Sequence, residues 1–354
     1  MSDNSQIEWT DATWNPIRAR NTKTGKLGWH CEHATTGCEF CYAEGFNKRL
    51  GTGLAFKPGH RQDIEIFLDE TMLTQPLRWK RPRMIFVCSM TDLFADFVED
   101  RWLDRMFAVM GACEEKGLGH TFQILTKRPA RMLAWMNEHG HKSWNSCRLS
   151  TEAWPARNVW LGVSAERQQE ADERIPLLLS SPAVVRFISA EPLLDSIDLR
   201  WIAEPDDEAD GVIDALGGFN WIEGPGSLAP YRPARPEHTD RLMSRQIVKE
   251  RPSRLDWVIA GGESGPNARP MHPDWARGMR DQCAAAGVPF FFKQWGQWIP
   301  GAQAAHITDA DLAKYTVQAV ISEGRGNFCF KVGKKAAGRN LDGKLHNAMP
   351  EHAR

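Results

Sequence analysis

Short apolar runs recur along the chain, and each gives way abruptly to polar or glycine residues. The runs are only four or five residues long and are rich in β-branched or aromatic side chains. Such short, continuous runs are typical of strands that are buried on both faces, as the strands of a parallel sheet are. The pattern predicts six buried strands, at residues 84–87, 121–125, 159–163, 184–188, 257–260 and 289–292.

Helical patterns lie between these runs. Pro273 and Gly287 mark the start and the end of one predicted helix, because proline is favoured in the first turn of a helix and glycine just past its end. Alternation of strand and helix predicts an α/β fold with a parallel sheet. Another predicted helix carries a stripe of apolar residues at helical spacing: Trp102, Leu103, Met106, Phe107 and Met110.

The interval between the fourth and fifth runs is much longer than the others, which predicts an insertion at about residues 200–254. Its charge is segregated, since residues 204–210 are acidic and residues 232–254 are mainly basic. Two interpretations stay open, a solvated loop of mixed charge and a lid or substrate-binding segment, because long loops in compact domains are often functional. Residues 301–354 have weak periodicity and are predicted to form a C-terminal extension.

Composition narrows the classes of protein to consider. The 354 residues include 44 Lys and Arg against 45 Asp and Glu, so the formal net charge is −1. Near-neutrality excludes a wholly basic nucleic-acid coat but allows a local basic face. No apolar run approaches the ~18 residues of a membrane span, and the first residues lack the features of a signal peptide. We therefore expect a soluble cytoplasmic protein with no membrane association.

Three of the eight cysteines are closely spaced, as Cys31, Cys38 and Cys41. In a cytoplasmic chain this spacing indicates metal binding rather than disulfides. A zinc site would add His33 as its fourth ligand, whereas an iron–sulfur cluster would take three thiolates and leave one iron open. Two details favour iron: a single residue separates Cys31 from His33, which strains a shared zinc, and Phe40 would shield a cluster from water. The isolated Cys88 begins a strand-end loop and is a weaker candidate for the same site.

Polar residues follow the predicted strands at the point where each strand ends. In (β/α) barrels the active site lies at the carboxyl ends of the strands, where such residues converge. In the alternative interpretation, each strand-end carboxylate only pairs with a neighbouring base such as Arg128. The strand-end residues are Asp92, Lys127, Arg128, Glu166, Glu191, Glu263, Lys293 and Gln294.

These motifs resemble those of a phage-type protein family, the three-Cys-motif family, which is also named after phage gene products thirty-seven and sixty-eight. The cysteine triplet, with an aromatic residue before its last cysteine, also resembles the cluster loop of radical S-adenosylmethionine enzymes. Their usual first gap is three residues, whereas six residues separate Cys31 from Cys38. The segments that carry the family resemblance are 7–16, 37–44, 89–94, 123–129, 158–164, 189–194, 261–265 and 291–296.

The resemblance implies a partial (β/α) TIM-like barrel of the radical S-adenosylmethionine type over residues 1–300, with the cluster loop at residues 28–45. It implies a [4Fe–4S] cluster on Cys31, Cys38 and Cys41, with zinc as the alternative. It further implies S-adenosylmethionine as a cofactor, an electron donor and a partner protein from a neighbouring gene.

The roles of the strand-end residues follow from the chemistry of S-adenosylmethionine. Its amino and sulfonium groups suit carboxylates or hydroxyls, and its carboxylate, or a substrate phosphate, suits cationic side chains. The candidate cofactor-binding residues are Ser89, Asp92, Lys127, Arg128, Ser164, Glu166 and Glu191.

Two functions are therefore expected. The first is a radical S-adenosylmethionine-like iron–sulfur enzyme that acts on a nucleobase, nucleotide or nucleic acid in a phage or mobile-element context. The alternative is a non-catalytic iron–sulfur or zinc protein that binds nucleic acid, or a phage accessory protein that works with a partner.

Overall fold

A parallel sheet of seven strands, arranged in chain order, forms the centre of the protein. The computed structural model describes residues 5–148, 154–203, 212–223, 245–250, 253–322 and 324–351. The sheet curls into half a barrel, as the sequence predicted. Its strands are β1 (Ala12–Trp14), β2 (Met84–Val87), β3 (Thr121–Thr126), β4 (Val159–Ser164), β5 (Arg186–Ala190), β6 (Trp257–Gly261) and β7 (Phe290–Gln294).

The six predicted strands correspond to β2 through β7. The largest shift is in β5, which begins two residues later than its apolar run, because its pairing with β4 starts where Arg186 lies opposite Leu161. The first strand, β1, pairs with β2 in parallel and places the N-terminal segment at the edge of the sheet.

Helices connect the strands. The two predicted helices are confirmed as α3 (Asp100–Glu115) and α7 (Pro273–Ala286), and Gly287, the residue after α7, has the left-handed conformation with φ +67°. The helices are α1 (Tyr42–Leu50), α2 (Glu70–Leu73), α3 (Asp100–Glu115), α4 (Pro129–Trp135), α5 (His141–Asn145), α6 (Gln168–Ser180), α7 (Pro273–Ala286), α8 (Asp309–Leu312) and α9 (Lys334–Ala337). Short 3-10 turns lie at Thr36–Cys38, Pro58–Asp63, Gln75–Arg78 and Gly301–Gln303, and a π turn lies at Met136–Gly140.

The described residues also form three small antiparallel sheets beside the central one. The first joins Leu27–Gly28, Ile17–Asn21 and Ile64–Leu68 in that order. The second joins Arg245–Glu250, Phe219–Glu223, Val212–Asp214 and Ile202–Ala203, and the third joins Ile299–Pro300, Arg325–Phe330 and Val317–Ser322.

The predicted insertion contains the whole of the second small sheet. The acidic stretch at 204–210 lies outside the described residues, and so does most of the basic stretch. Both interpretations of the insertion therefore stay predictions.

Side chains of the central strands alternate between two separate buried clusters. Ile85, Ile188 and Val258 face the layer between the sheet and the helices. Their neighbours Phe187 and Trp257 point into the half barrel. Because successive side chains of a strand point to opposite faces, the continuous apolar runs fill both layers.

The two ends of the chain close the open side of the half barrel. Trp9 packs inside it, with its ring centroid 4.8 Å from that of Phe86. Near the C-terminus, the carbonyl oxygen of His346 accepts a hydrogen bond from the Phe292 amide at 2.9 Å, and that of Ala348 accepts one from Trp257 Nε1 at 2.9 Å. The tail thus covers part of β7, which would otherwise be an exposed edge. Within the described ranges, no helix has the length and apolar character to cross a membrane.

Candidate functional site

A cavity of about 470 Å³ opens at the carboxyl ends of the strands. Its volume lies in the range of about 300–1,000 Å³ that is typical of small-molecule sites. The wall includes all three clustered cysteines and six of the seven candidate cofactor-binding residues. These lining residues are Cys31, Cys38, Cys41, Ser89, Asp92, Lys127, Arg128, Ser164 and Glu191.

The cysteine loop is held by a 3-10 turn and by α1. Cys38 ends the turn, and Cys41 is the N-cap residue that immediately precedes α1. Cys31 and Cys41 pack against an apolar cluster that includes Trp29 and Phe56. Burial raises the pKa of the Cys31 thiol to about 12, and burial also raises the pKa of Cys41, because a buried thiolate loses its hydration.

Cationic side chains face these thiols. Lys127 interacts electrostatically with Cys38 and Cys41, and Arg128 with Cys31. Burial lowers the pKa of the Lys127 ammonium, whereas negative charge on the thiols opposes that shift. The cations therefore stabilise thiolates in a place where burial alone disfavours them.

Asp92 connects the ends of β2 and β3. Its Oδ1 accepts hydrogen bonds from Thr126 Oγ1 at 2.7 Å and the Phe94 amide at 3.0 Å. Its Oδ2 accepts from the Lys127 amide at 2.9 Å and from Arg128 Nη1 at 3.0 Å. Both carboxylate oxygens are thus engaged within the protein, which makes Asp92 an anchor of the strand-end loops.

Glu166, at the end of β4, is fully buried and lies behind the cavity wall. Its carboxylate contacts Lys127, lies 3.3 Å from Arg174 Nη1 and accepts a hydrogen bond from Thr35 Oγ1 at 3.2 Å. Gly37 passes so close that a Cβ atom there would lie 2.4 Å from Glu166 Oε1. Glu166 therefore fixes the cysteine loop to the half barrel, and any side chain at position 37 would have to displace that of Glu166.

Arg269 is a residue that sequence reasoning missed. Its Nη2 lies 2.7 Å from Glu263 Oε1, and its Nε lies 2.9 Å from Glu263 Oε2. Nη2 also donates to the carbonyl oxygen of Thr36 at 3.0 Å, and the guanidinium lies 5.1 Å from the centroid of the Phe40 ring. Arg269 is the second attachment of the cysteine loop, and it explains the position of Glu263. No local motif in the sequence marks it.

The opposite wall is built by β5, β7 and both ends of the chain. Lys293 Nζ lies 3.3 Å from Glu191 Oε2. Lys334 of α9 pairs with Glu8 at 3.1 Å, a contact between residues from opposite ends of the chain that sequence reasoning also missed. Gln294 donates to Ser264 Oγ at 2.9 Å. Within the described residues, Glu8 Oε2 and Gln294 Oε1 are buried polar atoms without a hydrogen-bond partner.

Ser89 and Cys88 lie at the end of β2. Asn15 Nδ2 donates to Ser89 Oγ at 3.1 Å, and Tyr42 donates its phenolic hydrogen to the Ser89 carbonyl oxygen at 2.8 Å. Cys88 also lines the cavity, is buried, and has a positive φ of 55°. Burial raises the pKa of its thiol, so Cys88 is an un-ionised part of the wall.

Zinc and an iron–sulfur cluster require different ligands from the side chains of the cysteine loop. His33 Nε2 lies 2.9 Å from Glu44 Oε2, so a zinc site that used His33 would bind its other ring nitrogen, Nδ1. Three thiols on one cavity wall, faced by cations, are a donor set that fits a cluster in which each thiolate binds a different iron. Within the part of the chain that the structure describes, no three His, Cys, Asp or Glu side chains are grouped closely enough to hold a single metal ion.

Fold and site together define a partial (β/α) barrel with a cysteine-lined cavity at its mouth. The chain belongs to DUF5131, a protein family of unknown function, which matches residues 4–350. No curated protein and no solved structure is significantly similar to the chain.

Proposed function

We propose that this protein is a radical S-adenosylmethionine-type iron–sulfur enzyme that acts on a nucleobase-sized substrate, free or within a nucleotide or nucleic acid, in a phage or mobile-element context. The observation that carries the proposal is the convergence of Cys31, Cys38 and Cys41 on one cavity with the polar ends of the strands. Cys31, Cys38 and Cys41 would hold three irons of a [4Fe–4S] cluster, which would supply one electron for the reductive cleavage of a C–S bond of S-adenosylmethionine into methionine and a carbon radical.

The residues of the chain prepare the site for such a group. Three cysteines provide the thiolates, while Lys127 and Arg128 offset the negative charge of the ligand set. Glu166 and Arg269 hold the cysteine loop over the cavity through Thr35 and Thr36. A rigid loop of this kind keeps the ligands in place without reorganisation when the group binds.

Charges of both signs on the opposite wall suit a zwitterionic ligand. Glu191 and Lys293 form an ion pair there. Ser164 and Ser189 provide hydroxyl groups at the ends of β4 and β5. S-adenosylmethionine carries an ammonium, a sulfonium and a carboxylate, so both partners of the ion pair have a counterpart on the ligand.

Aromatic side chains form the inner part of the cavity and support the substrate class. Trp9 and Phe86 line it together with Leu125, and their surfaces suit a planar base. The half barrel also shields this region from water, which protects a carbon radical from side reactions.

The deciding experiment is anaerobic purification with analysis of iron, sulfide and zinc, followed by electron paramagnetic resonance after reduction by dithionite. We expect about four irons and four sulfides per chain, as a four-iron cluster requires. Cys38→Ala should lose the cluster. Cys147→Ala is the matched control, because Cys147 is an exposed cysteine away from the cavity. About one zinc per chain with no sulfide would refute the proposal and favour the zinc alternative.

Two further measurements test the cofactor and the substrate separately: turnover of S-adenosylmethionine and affinity for nucleic acid. The loaded protein should release 5′-deoxyadenosine from S-adenosylmethionine, and Cys38→Ala should not. Affinity for single-stranded and double-stranded nucleic acid is then measured against salt, since phosphate contacts make affinity fall as salt rises. Affinity that does not change with salt would point to a free base or nucleoside as the substrate.

A further inference from the structure

An exposed apolar stripe runs along α1. Tyr42, Phe46 and Leu50 are spaced four residues apart, which places them on one face of the helix. They are 55%, 39% and 61% exposed, and Leu27 beside them is 46% exposed. Large apolar side chains grouped on a surface often mark an interaction site.

The stripe lies directly beside the cysteine loop. Cys41 is the residue before Tyr42, and Tyr42 itself reaches the cavity mouth through its hydrogen bond to Ser89. The strand that carries Leu27 passes close to α1, since a Cβ atom on Gly28 would clash with Asn47 Oδ1. Just after the strand, the Trp29 amide donates to Asn47 Oδ1 at 3.0 Å, and the Trp29 ring lies 6.0 Å from that of Phe46. The four apolar side chains, which we term the α1 surface, therefore lie next to the cysteine loop, on the helix that follows Cys41 and on the strand that precedes Trp29.

Positive charge flanks the α1 surface. Lys26, next to Leu27, and Arg49, next to Leu50, are exposed. The single carboxylate of α1, Glu44, is buried on the other side of the helix and is hydrogen-bonded to Lys48 at 2.5 Å. Glu65 belongs to the same small sheet as Leu27 but lies on its opposite edge strand. The rim of the α1 surface is thus basic.

We propose that the α1 surface is the docking site for an acidic electron-transfer protein that reduces the cluster, an inference that rests on the proposed function. One electron passes from the donor, which is oxidised, to the cluster, which is reduced. A small apolar patch with a charged rim suits the weak, fast encounters of redox partners, which bury little area and are guided by opposite charge. A docked donor would also lie against the helix that directly follows Cys41, which keeps the path of the electron short.

The test compares two reductants in a stopped-flow experiment under anaerobic conditions. Reduced flavodoxin, an acidic flavoprotein, requires docking, whereas dithionite is a small molecule and does not. Phe46→Ser and Arg49→Glu should each slow reduction by flavodoxin at least about tenfold, corresponding to roughly 1.4 kcal/mol. Their rates with dithionite should stay at the wild-type value. Phe328→Ser is the matched control, since Phe328 is 65% exposed but belongs to the third small sheet.

A second measurement does not depend on the cluster. Binding of oxidised flavodoxin to the metal-free protein, followed by calorimetry, should weaken in both variants and with rising salt. Unchanged binding and unchanged flavodoxin rates in Phe46→Ser and Arg49→Glu would overturn the proposal. So would variants that lose only self-association or only nucleic-acid binding. A wild-type protein without iron would refute the enzyme proposal, while the calorimetric result would still decide whether the α1 surface binds flavodoxin.

Discussion

The inner face of the half barrel differs between its two ends. Toward the amino ends of the strands it is aromatic, with Phe187, Trp257 and Phe291 in one buried cluster around Trp9. Toward the carboxyl ends the same faces carry polar side chains. Glu191 lies two residues past Ser189 of β5, and Lys293 lies two residues past Phe291 of β7. The two ends use the same strands and the same alternation of side chains, but one end buries aromatic side chains and the other buries polar ones.

We attribute the stability of the half barrel to its aromatic end and the positioning of the site to its polar end. The aromatic end gains free energy from packing and is closed by the chain's own termini. At the polar end, charged groups are buried in pairs, and buried pairs contribute little net stability. Buried ionic groups at the mouth of a barrel are therefore better explained by the site that they position.

The largest expected effect is at the aromatic end. Trp257 is fully buried and lies between the rings of Trp9 and Phe291. Trp257→Ala should lower the free energy of unfolding by about 3–5 kcal/mol, because it leaves a cavity and removes the bond to the tail. Chemical denaturation measures the change. Leu345→Ala, at an exposed position of the tail, is the control and should change stability by less than about 0.5 kcal/mol. A loss below about 1 kcal/mol in Trp257→Ala would mean that this end does not carry the stability of the barrel.

A smaller, local effect is expected at the polar end. Arg269→Ala removes the contacts with Glu263 and Thr36, each a hydrogen bond of a charged donor worth about 1.5–3 kcal/mol. Hydrogen exchange of the amides of residues 34–41 should become faster, while the amides of β5 and β6 keep their protection. Arg105→Ala, which breaks an exposed pair with Glu70, serves as the control. Equal protection of the cysteine loop in Arg269→Ala and wild type would show that Arg269 does not hold the loop.

The smallest effect depends on pH and concerns the tail that closes the aromatic end. Hydrogen bonding from Arg277 holds the pKa of Asp342 well below its ordinary range, and Arg280 adds to the same shift. Because the pKa is lowered in the folded state, the contact stabilises the tail above about pH 4 and is lost as the pH falls below that value. Proteolysis of the tail should therefore accelerate in acid. Asp342→Asn should show the faster cleavage already at neutral pH and little further change in acid; a variant with the pH profile of the wild type would contradict this role.

Much of the fold could be predicted because it is encoded locally. Each apolar run became a strand, and Pro273 and Gly287 bounded a helix, since these signals depend on nearest neighbours along the chain. The cysteine triplet was also visible as spacing alone. The exact start of β5 was less certain because it depends on its partner strands.

The details of the site required the three-dimensional structure. Arg269 reaches Thr36, Glu166 accepts from Thr35, and Lys334 pairs with Glu8, and each contact joins residues that are far apart in sequence. No short motif encodes such a contact, because it exists only once the strands have brought their carboxyl ends together.

The sequence by itself determined the order of strands and helices, the parallel sheet and the three closely spaced thiols. Tertiary structure decided which polar residues became anchors behind the cavity wall, as Glu166 did, and which remained on that wall, as Glu191 and Lys293 did. The reason is that a buried charge is tolerated only next to a partner, and the identity of that partner is set by packing across the barrel.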